Sequence, residues 1–390
     1  MRTNRHHVRR TLLRTFAFCT PFLRDRAKRI EDSGLRILLI RPDHIGDLLF
    51  TTPALRVLRK AFPDAYLACM VGPWAKAVVE KSPHIDELIV CTFPGFTRQP
   101  KNSVFIPYQM AWKWAMALRA RRFNMAVVLR FDHWWGALLA YLAGIPHRLG
   151  YAIAECEPFL TMAVPYVSRR HEVKQNLTLV EQVILAYGRD IPQDPLHLEF
   201  VVTRQDQEDI THYLAERGVT PDEKIVAIHP GAGAAVKEWR TDAFAQVADA
   251  IVERWQAKVV LTGSHDDLDL AWSIYAQMCN DPIVAAGNTT LGQLAALYQR
   301  SRLVIGPDCG PLHLAVAMGT PTVHLYGPVD VGKFGPWGSP ARHLVLTSGY
   351  KCIPCNRLDY SAKELPNHPC VRAIAPQMVL EAVQKLLVKE

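Results

Sequence analysis

The sequence predicts an α/β protein of two doubly wound domains, each with a parallel sheet covered by helices. The chain has 390 residues, of which 49% are hydrophobic and 21% charged, so it is globular in composition but too long for a single core. Short apolar runs alternate with segments of helical spacing, which is typical of strand–helix–strand units. A polar stretch, residues 188–195, separates two such series and indicates two domains.

The elements of the first series follow from apolar runs bounded by Gly, Pro or charged residues. Runs of strand length are Ile37–Ile40, Ala65–Val71, Glu87–Cys91 and Met125–Leu129. Segments with helical spacing lie between or after them, near Ala54–Ala61, Ala75–Lys81, Met110–Ala120 and Trp135–Ala143.

The second series repeats this order. Its predicted strands are Ile225–Ile228, Lys258–Thr262 and a short one near Val284. Its predicted helices lie near Ala243–Arg254, Leu268–Cys279 and Leu291–Arg300, and a last helix over Ala375–Val388 has Pro376 in its first turn.

Residues 303–327 are the most informative segment of the second series. Their apolar runs, interrupted by Gly and Pro, predict a buried strand, a tight loop, a helix of about two turns and a second strand. Asp308 or a neighbour can cap the helix, Pro311 suits its first turn and Gly319 can end it. Such a helix start favours an anion, which predicts a nucleotide diphosphate. An ordinary strand–helix turn is the alternative.

Polar residues also follow the first strand of the chain. Asp43, His44 and Asp47 come just after it, where doubly wound sheets bind ligands. A carboxylate at Asp47, beside Gly46, could face a cleft and accept a proton from a hydroxyl group. Helix capping would give the same pattern and remains an alternative.

A small-residue loop follows the first strand of the second series. Gly231 and Gly233 allow a phosphate to approach the backbone, and Lys237 offers a positive charge for it. The alternative is an ordinary surface lysine.

The charge of the chain is concentrated at its beginning. The net charge is +8, and residues 1–30 contain nine Lys or Arg and one acid together with several large apolar residues. This tail is suited to an anionic membrane surface, although a solvated tail is the alternative. Since no segment has the length or composition of a membrane span or signal peptide, we expect a cytoplasmic protein, peripheral on the inner face of the bacterial inner membrane.

The nine cysteines are scattered and odd in number, which is typical of reduced thiols. Cys352, Cys355 and Cys370 form the only cluster. A zinc site would need a fourth ligand, for which His368 is the nearest candidate, and the spacing fits no zinc finger well. We therefore expect no metal and no cofactor.

Several of these segments together resemble glycosyltransferase family 9, the heptosyltransferases of lipopolysaccharide synthesis. The similarity spans most of residues 35–390. The matching pieces are Ile45–Asp47 with Thr52–Leu55, His229–Ala232 with Lys237 and Trp239, Gly287–Leu291, Asp308–Gly310 with His313, Gly319–Pro321, Tyr326–Gly327, and the cysteine-rich tail with Pro376.

This resemblance implies the GT-B fold, in which two Rossmann-like domains face each other across a cleft. It implies metal-independent, inverting transfer of a sugar, usually heptose from ADP-heptose, to a hydroxyl of a lipopolysaccharide-core or related glycan or glycolipid. Asp47 matches the catalytic base, Lys237 the lysine for the donor phosphate, and Asp267 the position of a ribose-binding acid. The diphosphate and sugar loop corresponds to Asp308, Cys309, Gly310 and His313. Candidate acceptor or cleft residues are His44, Asp132 and Trp134.

The predicted domains are a basic amphipathic tail, an acceptor domain, a hinge, a nucleotide-sugar donor domain and a terminal helix. Their bounds are 1–34, 35–190, 191–195, 196–374 and 375–390. Two other functions would suit the same architecture, a nucleotide-sugar epimerase and a sugar-nucleotide binding protein without catalysis. A nucleic-acid partner is not expected, because the basic excess is confined to the tail and the sequence contains no base-reading motif.

Overall fold

The computed structural model describes residues 11, 13–15, 34–97 and 105–388. These residues form two compact units. The first comprises the described residues up to His44 together with Thr51–Leu196. The second comprises Ile45–Phe50 and the described residues from His197 onward. The segment Ile45–Phe50 therefore packs with the second unit, although it directly follows the first strand of the first unit.

The first unit contains a six-stranded sheet of order β3-β2-β1-β4-β5-β6. All of its pairings are parallel. The strands are β1 (Arg36–Arg41), β2 (Tyr66–Val71), β3 (Glu87–Val90), β4 (Met125–Val128), β5 (His147–Tyr151) and β6 (Met162–Val164). Its helices are α2 (Thr52–Ala61), α3 (Ile106–Arg119), α4 (Trp134–Leu142) and α5 (Glu172–Ala186). The preceding helix, α1 (Ile45–Leu49), belongs to the second unit.

The second unit has a six-stranded sheet of order β12-β11-β10-β7-β8-β9, again parallel throughout. The strands are β7 (Ile225–Ile228), β8 (Lys258–Leu261), β9 (Ile283–Val284), β10 (Leu303–Pro307), β11 (Thr322–Leu325) and β12 (His343–Leu346). The helices are α6 (Arg204–Ala215), α7 (Thr241–Trp255), α8 (Leu268–Tyr275), α9 (Leu291–Arg300), α10 (Gly310–Ala317), α11 (Val331–Phe334) and α12 (Pro376–Leu387).

Burial of both sheet faces explains why apolar runs in the sequence predict the strands. In β1 the residues from Ile37 to Arg41 are all buried, and in β4 all four residues are buried. Helices cover both faces of such parallel sheets, so neither face needs alternating polar residues. In the second unit, Ile228, Leu261 and Ile305 lie in a single apolar core with α7, α8 and α12. The prediction of two doubly wound parallel sheets is confirmed.

The structure corrects the predicted helix over Ala75–Lys81. It has only a single 3-10 turn there, Lys76–Val78. Pro83 disfavours the helical conformation at Ser82 and so limits the segment at its end. Adjacent β-branched residues, Val78 and Val79, further lower its helix propensity.

Within the segment predicted as a hinge, residues 191–195, Asp194 binds side chains of α2 in the first unit. The Asp194 side chain is fully buried and accepts hydrogen bonds from Arg56 Nε at 2.8 Å and from Lys60 Nζ at 2.8 Å. These hydrogen bonds hold the pKa of Asp194 below its usual range. The boundary between the two units lies directly after it, between Leu196 and His197.

Most of the predicted basic tail, residues 1–34, lies outside the described residues. Within it, Leu13 is described and is buried in the core of the first unit. Among the described helices, none is both long enough and apolar enough to cross a membrane.

Candidate active site

The carboxyl edge of the second sheet brings together most of the predicted donor residues. Ligands of doubly wound sheets bind where the strand order reverses, outside the carboxyl ends of the strands. In this sheet the reversal falls between β7 and β10, because β8 lies on one side of β7 and β10 on the other. Lys237 follows β7 and Asp308 follows β10, so the two loops at this point carry opposite charges.

Lys237 and Asp308 form an ion pair across these loops. Lys237 Nζ lies 2.8 Å from Asp308 Oδ2, and the two side chains are 12% and 9% exposed. Burial raises the pKa of Asp308, but the charge of Lys237 and a hydrogen bond from His313 outweigh that effect and hold the pKa below its usual range. The carboxylate therefore stays ionised and fixes the lysine at the edge of the sheet.

His313 is the second partner of Asp308. It lies on α10, is 3% exposed, and its Nε2 is 3.5 Å from Asp308 Oδ1. Its ring meets Phe50 edge to face, with the ring centroids 4.6 Å apart. Within the described residues, His313 Nδ1 has no hydrogen-bond partner. The ring is thus held by Asp308 on one side and by packing on the other.

The helix that follows Asp308 begins where the sequence predicts, but without the predicted side-chain cap. Cys309 is its N-cap residue, Pro311 lies in its first turn, and Gly319 follows its end with a positive φ of 74°. Cys309 makes no side-chain capping hydrogen bond, and Asp308 is instead bound to Lys237 and His313. Burial raises the pKa of the Cys309 thiol to about 12, so it remains protonated at neutral pH.

Asp47 lies on α1, which packs directly on α10. The packing is close because both helices have a glycine at the contact. A Cβ placed on Gly310 would lie 2.9 Å from Ile45 Cβ, and one placed on Gly46 would lie 3.1 Å from His313 Cδ2. The second unit therefore carries both Asp47 and the group formed by Lys237, Asp308 and His313.

Asp267 lies at the same sheet edge, in the loop after β8. Its Oδ2 accepts hydrogen bonds from the backbone N–H and the hydroxyl of Ser264, both at 2.7 Å. A Cβ on Gly231 would collide with the Asp267 carboxylate. The space beside Gly231 is thus filled by Asp267, whereas a Cβ on Gly233 would meet nothing within 4 Å. Of the two glycines predicted to admit a phosphate, Gly233 has the open side.

His229, directly after β7, has a structural position. It is 4% exposed, and its Nδ1 lies 3.1 Å from Thr262 Oγ1. Burial lowers its pKa to about 4, so the ring is neutral at physiological pH.

A second group of charged residues lies at the carboxyl edge of the first sheet, again where the strand order reverses, between β1 and β4. Asp43 is buried, and its Oδ2 lies 2.8 Å from Arg41 Nε while its Oδ1 accepts a hydrogen bond from Arg130. Burial raises the pKa of Asp43, but the charges of the two arginines outweigh that effect and lower it. Arg130 Nε also donates to Asp132 Oδ1 at 2.6 Å.

The sequence gives no signal for Arg130 as a site residue, because its pairing with Asp43 joins residues far apart in the chain. Its guanidinium lies 5.2 Å from the ring centroid of Phe96 and 5.8 Å from that of Phe131. Its Nε and Nη1 are engaged by carboxylates, and its Nη2 makes a longer contact of 3.5 Å with Asp132. The side chain is 31% exposed, so a fixed guanidinium faces solvent at this edge.

The predicted acceptor residues surround this group. Asp132 and His44 are exposed, and Trp134 is half-buried at the start of α4. The His44 ring meets Trp74 edge to face at 5.6 Å between centroids, and the Trp74 Nε1 donates to the Asp43 carbonyl at 2.9 Å. The first sheet thus brings Asp132, His44 and Trp134 to the loops after β1 and β4.

Among the described residues, no group of three or more His, Cys, Asp or Glu side chains is arranged to hold a metal ion. The predicted cysteine cluster is nevertheless a spatial one, because Cys352, Cys355, His368 and Cys370 line a common cavity. The eight described cysteines are all free thiols.

Comparison with known proteins agrees with this architecture. The model of glycosyltransferase family 9 (heptosyltransferase) matches residues 111–366. Lipopolysaccharide heptosyltransferase 2 of Escherichia coli K12 is 24% identical over 373 residues, which cover 91% of this chain and 99% of that protein.

Two solved structures have the same fold. A glycosyltransferase of family 9 from Veillonella parvula is 26% identical with a TM-score of 0.77, and the match covers 94% of this chain and all of that one. An E. coli heptosyltransferase solved with ADP-2-deoxy-2-fluoro heptose is 16% identical with a TM-score of 0.63, over 90% of this chain and 99% of that one. The predicted GT-B class is confirmed.

Proposed function

Because the chain belongs to glycosyltransferase family 9, we propose that it transfers heptose from ADP-heptose to a hydroxyl group of a lipopolysaccharide-core glycan. The name of the E. coli relative, which matches 91% of this chain, supports the sugar and the pathway. The ADP-heptose analogue held by a solved neighbour supports the donor. The reaction needs no resident cofactor in this proposal.

The observation that carries the proposal is the group formed by Lys237, Asp308 and His313 at the start of α10, with Asp47 on the helix packed against it. When the bond between the sugar and the diphosphate breaks, its electron pair passes to the departing ADP. Lys237 and the positive end of α10 stabilise that added charge. In this role they replace a divalent cation, so transfer is independent of metal.

Asp47 acts as the general base. As the acceptor oxygen attacks the anomeric carbon from the side opposite ADP, its proton passes to the Asp47 carboxylate. Attack from that side inverts the configuration at this carbon. Since α1 and α10 belong to one unit, Asp47 and the phosphate-binding group keep a fixed distance and orientation. Holding catalytic groups in a fixed geometry lowers the entropic cost of reaching the transition state.

Asp308 serves this site as a positioning residue. A carboxylate beside a diphosphate repels it, but Asp308 is the shared partner of Lys237 and His313. We therefore assign the phosphate contacts to Lys237 and to backbone N–H groups near Cys309 and Gly310. Asp267, which has Oδ1 outside its capping hydrogen bonds, is assigned to the ribose hydroxyls of the donor.

The acceptor is assigned to the carboxyl edge of the first sheet. Arg130 Nη2 and the Asp132 carboxylate offer a donor and an acceptor side by side, 3.5 Å apart. This cluster holds the cations of Arg41 and Arg130 against three carboxylates, Asp43, Asp132 and Glu172. With one negative charge in excess, it favours the neutral hydroxyls of a sugar over a phosphate group. His44 and Trp134 border the same loops.

In the cell, we place the protein on the cytoplasmic side of the inner membrane, with its basic tail, residues 1–34, against anionic lipid. The nine Lys or Arg residues among the first 30 residues support this location.

The function is tested by incubating the purified chain with ADP-heptose and a heptose-acceptor core glycolipid, followed by mass spectrometry of both products. We expect ADP and a glycolipid heavier by one heptose, with unchanged yield in EDTA. Donor incubated alone should be recovered unchanged, whereas an epimerase would convert it without acceptor. Failure of transfer with every core acceptor, while ADP still binds, would overturn the proposal.

A further inference from the structure

The outward face of α3 exposes an unusual concentration of large apolar side chains. Trp112 is 58% exposed, Ile106 43% and Tyr108 42%, and Phe105, directly before the helix, is 70% exposed. These four residues fall within a single stretch of eight positions. On an ordinary protein surface such side chains occur singly, and their clustering marks a surface that binds something apolar.

The same helix is already anchored by its other face. Ala111, Ala115 and Leu118 are fully buried in the core of the first unit. Trp135, on the next helix, donates from its Nε1 to the Pro107 carbonyl at 2.7 Å and fixes the start of α3. The core contacts of α3 are therefore made by the face opposite Trp112 and Lys113.

The surroundings of this face are basic. Between Glu87 and Asp132 the sequence contains seven Lys or Arg residues and no acid. Lys113, on the next position of the helix, and Arg122, just after it, are exposed. A face with exposed apolar side chains and exposed positive charges at Lys113 and Arg122 is complementary to a surface that is apolar within and anionic outside.

We propose that the outward face of α3, formed by Phe105, Ile106, Tyr108, Trp112 and Lys113, binds an anionic lipid bilayer. Trp and Tyr favour the level of the lipid headgroups, where the ring is buried and its polar atom stays hydrated. Ile106 enters the acyl boundary, and the basic side chains contact the headgroup phosphates. A nucleic acid would engage the basic residues but would not cover the exposed apolar side chains of Ile106 and Phe105.

This inference does not rest on the proposed transfer reaction or on the basic tail. It assigns a second membrane contact to the folded part of the first unit. A lipid-linked acceptor could then reach the enzyme by diffusion in the plane of the membrane.

The test is sedimentation of the full chain with vesicles of phosphatidylcholine alone or containing phosphatidylglycerol. We expect Ile106→Ser/Trp112→Ser to lower the partition coefficient by about tenfold or more on the anionic vesicles, because two apolar side chains no longer enter the lipid. Lys113→Gln/Arg122→Gln should lower the partition coefficient on the anionic vesicles by about 25-fold, at roughly fivefold per charge. Its partition onto vesicles of phosphatidylcholine alone should equal that of the wild type.

Trp272→Ser is the matched control, because Trp272 is 52% exposed on α8 of the second unit. Its partition should equal that of the wild type. All variants should bind ADP like the wild type, which shows that they are folded. Equal partition of Ile106→Ser/Trp112→Ser and Trp272→Ser would overturn the proposal. So would a change of oligomeric state or of RNA binding in Ile106→Ser/Trp112→Ser without a loss of vesicle binding.

Discussion

Lys237 and Asp308 meet at 2.8 Å across the carboxyl ends of β7 and β10, at the point where the strand order of the second sheet reverses. Each residue comes from a separate loop, and the pair is about nine-tenths buried. The ion pair therefore determines where the positive charge of the site lies. It also makes the folding of this edge depend on both residues.

Removing the lysine alone should destabilise the second unit. In Lys237→Ala the ionised Asp308 is left buried without its lysine, and breaking a buried ion pair costs about 3–5 kcal/mol. We expect a clear fall in the denaturation midpoint of Lys237→Ala. The double variant Lys237→Ala/Asp308→Asn should recover part of that fall, because it no longer has the buried negative charge of Asp308. Lys224→Ala, at an exposed position of the same unit, is the control and should unfold like the wild type. Equal midpoints for Lys237→Ala and Lys224→Ala would show that the ion pair contributes nothing to stability.

Replacing the proposed base should separate chemistry from donor binding. Asp47→Asn keeps the size of the side chain but cannot take the proton, so we expect kcat to fall by about 10²–10⁴ with nearly unchanged affinity for ADP. Steady-state kinetics and calorimetry check these two expectations. Asp64→Asn, at an exposed acid of the first unit, should keep full activity. Full activity in Asp47→Asn would refute the assignment.

The contact between α1 and α10 should be sensitive to a single methyl group. In Gly310→Ala the new Cβ would lie 2.9 Å from Ile45 Cβ and 3.1 Å from the Gly46 backbone nitrogen, so α1 must shift and carry Asp47 with it. We expect kcat to fall at least tenfold, as small displacements of catalytic groups do. Gly332→Ala is the matched control, because this exposed glycine lies on α11 of the same unit and its Cβ would meet only the side-chain atom Asp330 Oδ1, at 3.2 Å. If both variants turn over equally, close packing at Gly310 does not position the base.

The sequence predicted the elements at the carboxyl edge of the second sheet better than it predicted the long-range contacts that complete the two groups of charged residues. Strands buried on both faces leave apolar runs, and Gly and Pro mark the loops, so β10, α10 and the position of Asp308 were predictable. The grouping of α1 with the second unit was not, because it depends on contacts between Gly46 and residues more than 250 positions away. For the same reason, the pairing of Arg130 with Asp43 leaves no periodic signal in the sequence.

A buried neutral histidine, His133, should make the first unit sensitive to mild acid. His133 is 4% exposed, lies against Phe93 and Phe96, and has no hydrogen bond from either ring nitrogen to the described residues. Burial lowers its pKa from 6.5 to about 3. Between these pH values the unfolded chain binds a proton at His133 that the folded chain does not. The contribution of neutral His133 to the free energy of unfolding is therefore complete above pH 6.5 and is lost as the pH falls. The loss is about 2 kcal/mol between pH 7 and pH 5.

Amide hydrogen exchange in β4 at these two pH values measures this loss. We expect His133→Phe to lose less protection on acidification than the wild type, since a phenylalanine in the same aromatic surroundings binds no proton. His212→Phe, at an exposed histidine of α6, should behave like the wild type. An unchanged pH dependence in His133→Phe would contradict the role given to burial.

The guanidinium of Arg130 should determine affinity for the acceptor and not for the donor. Arg130→Lys keeps the charge but lacks the planar group that Asp43 and Asp132 hold from two sides, so Nη2 and its fixed direction are lost. We expect KM for the acceptor to rise about tenfold, the equivalent of one hydrogen bond to a charged group, while the affinity for ADP stays unchanged. Asp132→Asn should also raise KM for the acceptor. The Asp132 carboxylate accepts a hydrogen bond from a sugar hydroxyl in this proposal, whereas the amide of asparagine can present an N–H donor in its place. Arg302→Lys, at an exposed arginine of the second unit, is the control. A rise in KM for ADP-heptose instead of the acceptor would move Arg130 from the acceptor to the donor side of the reaction.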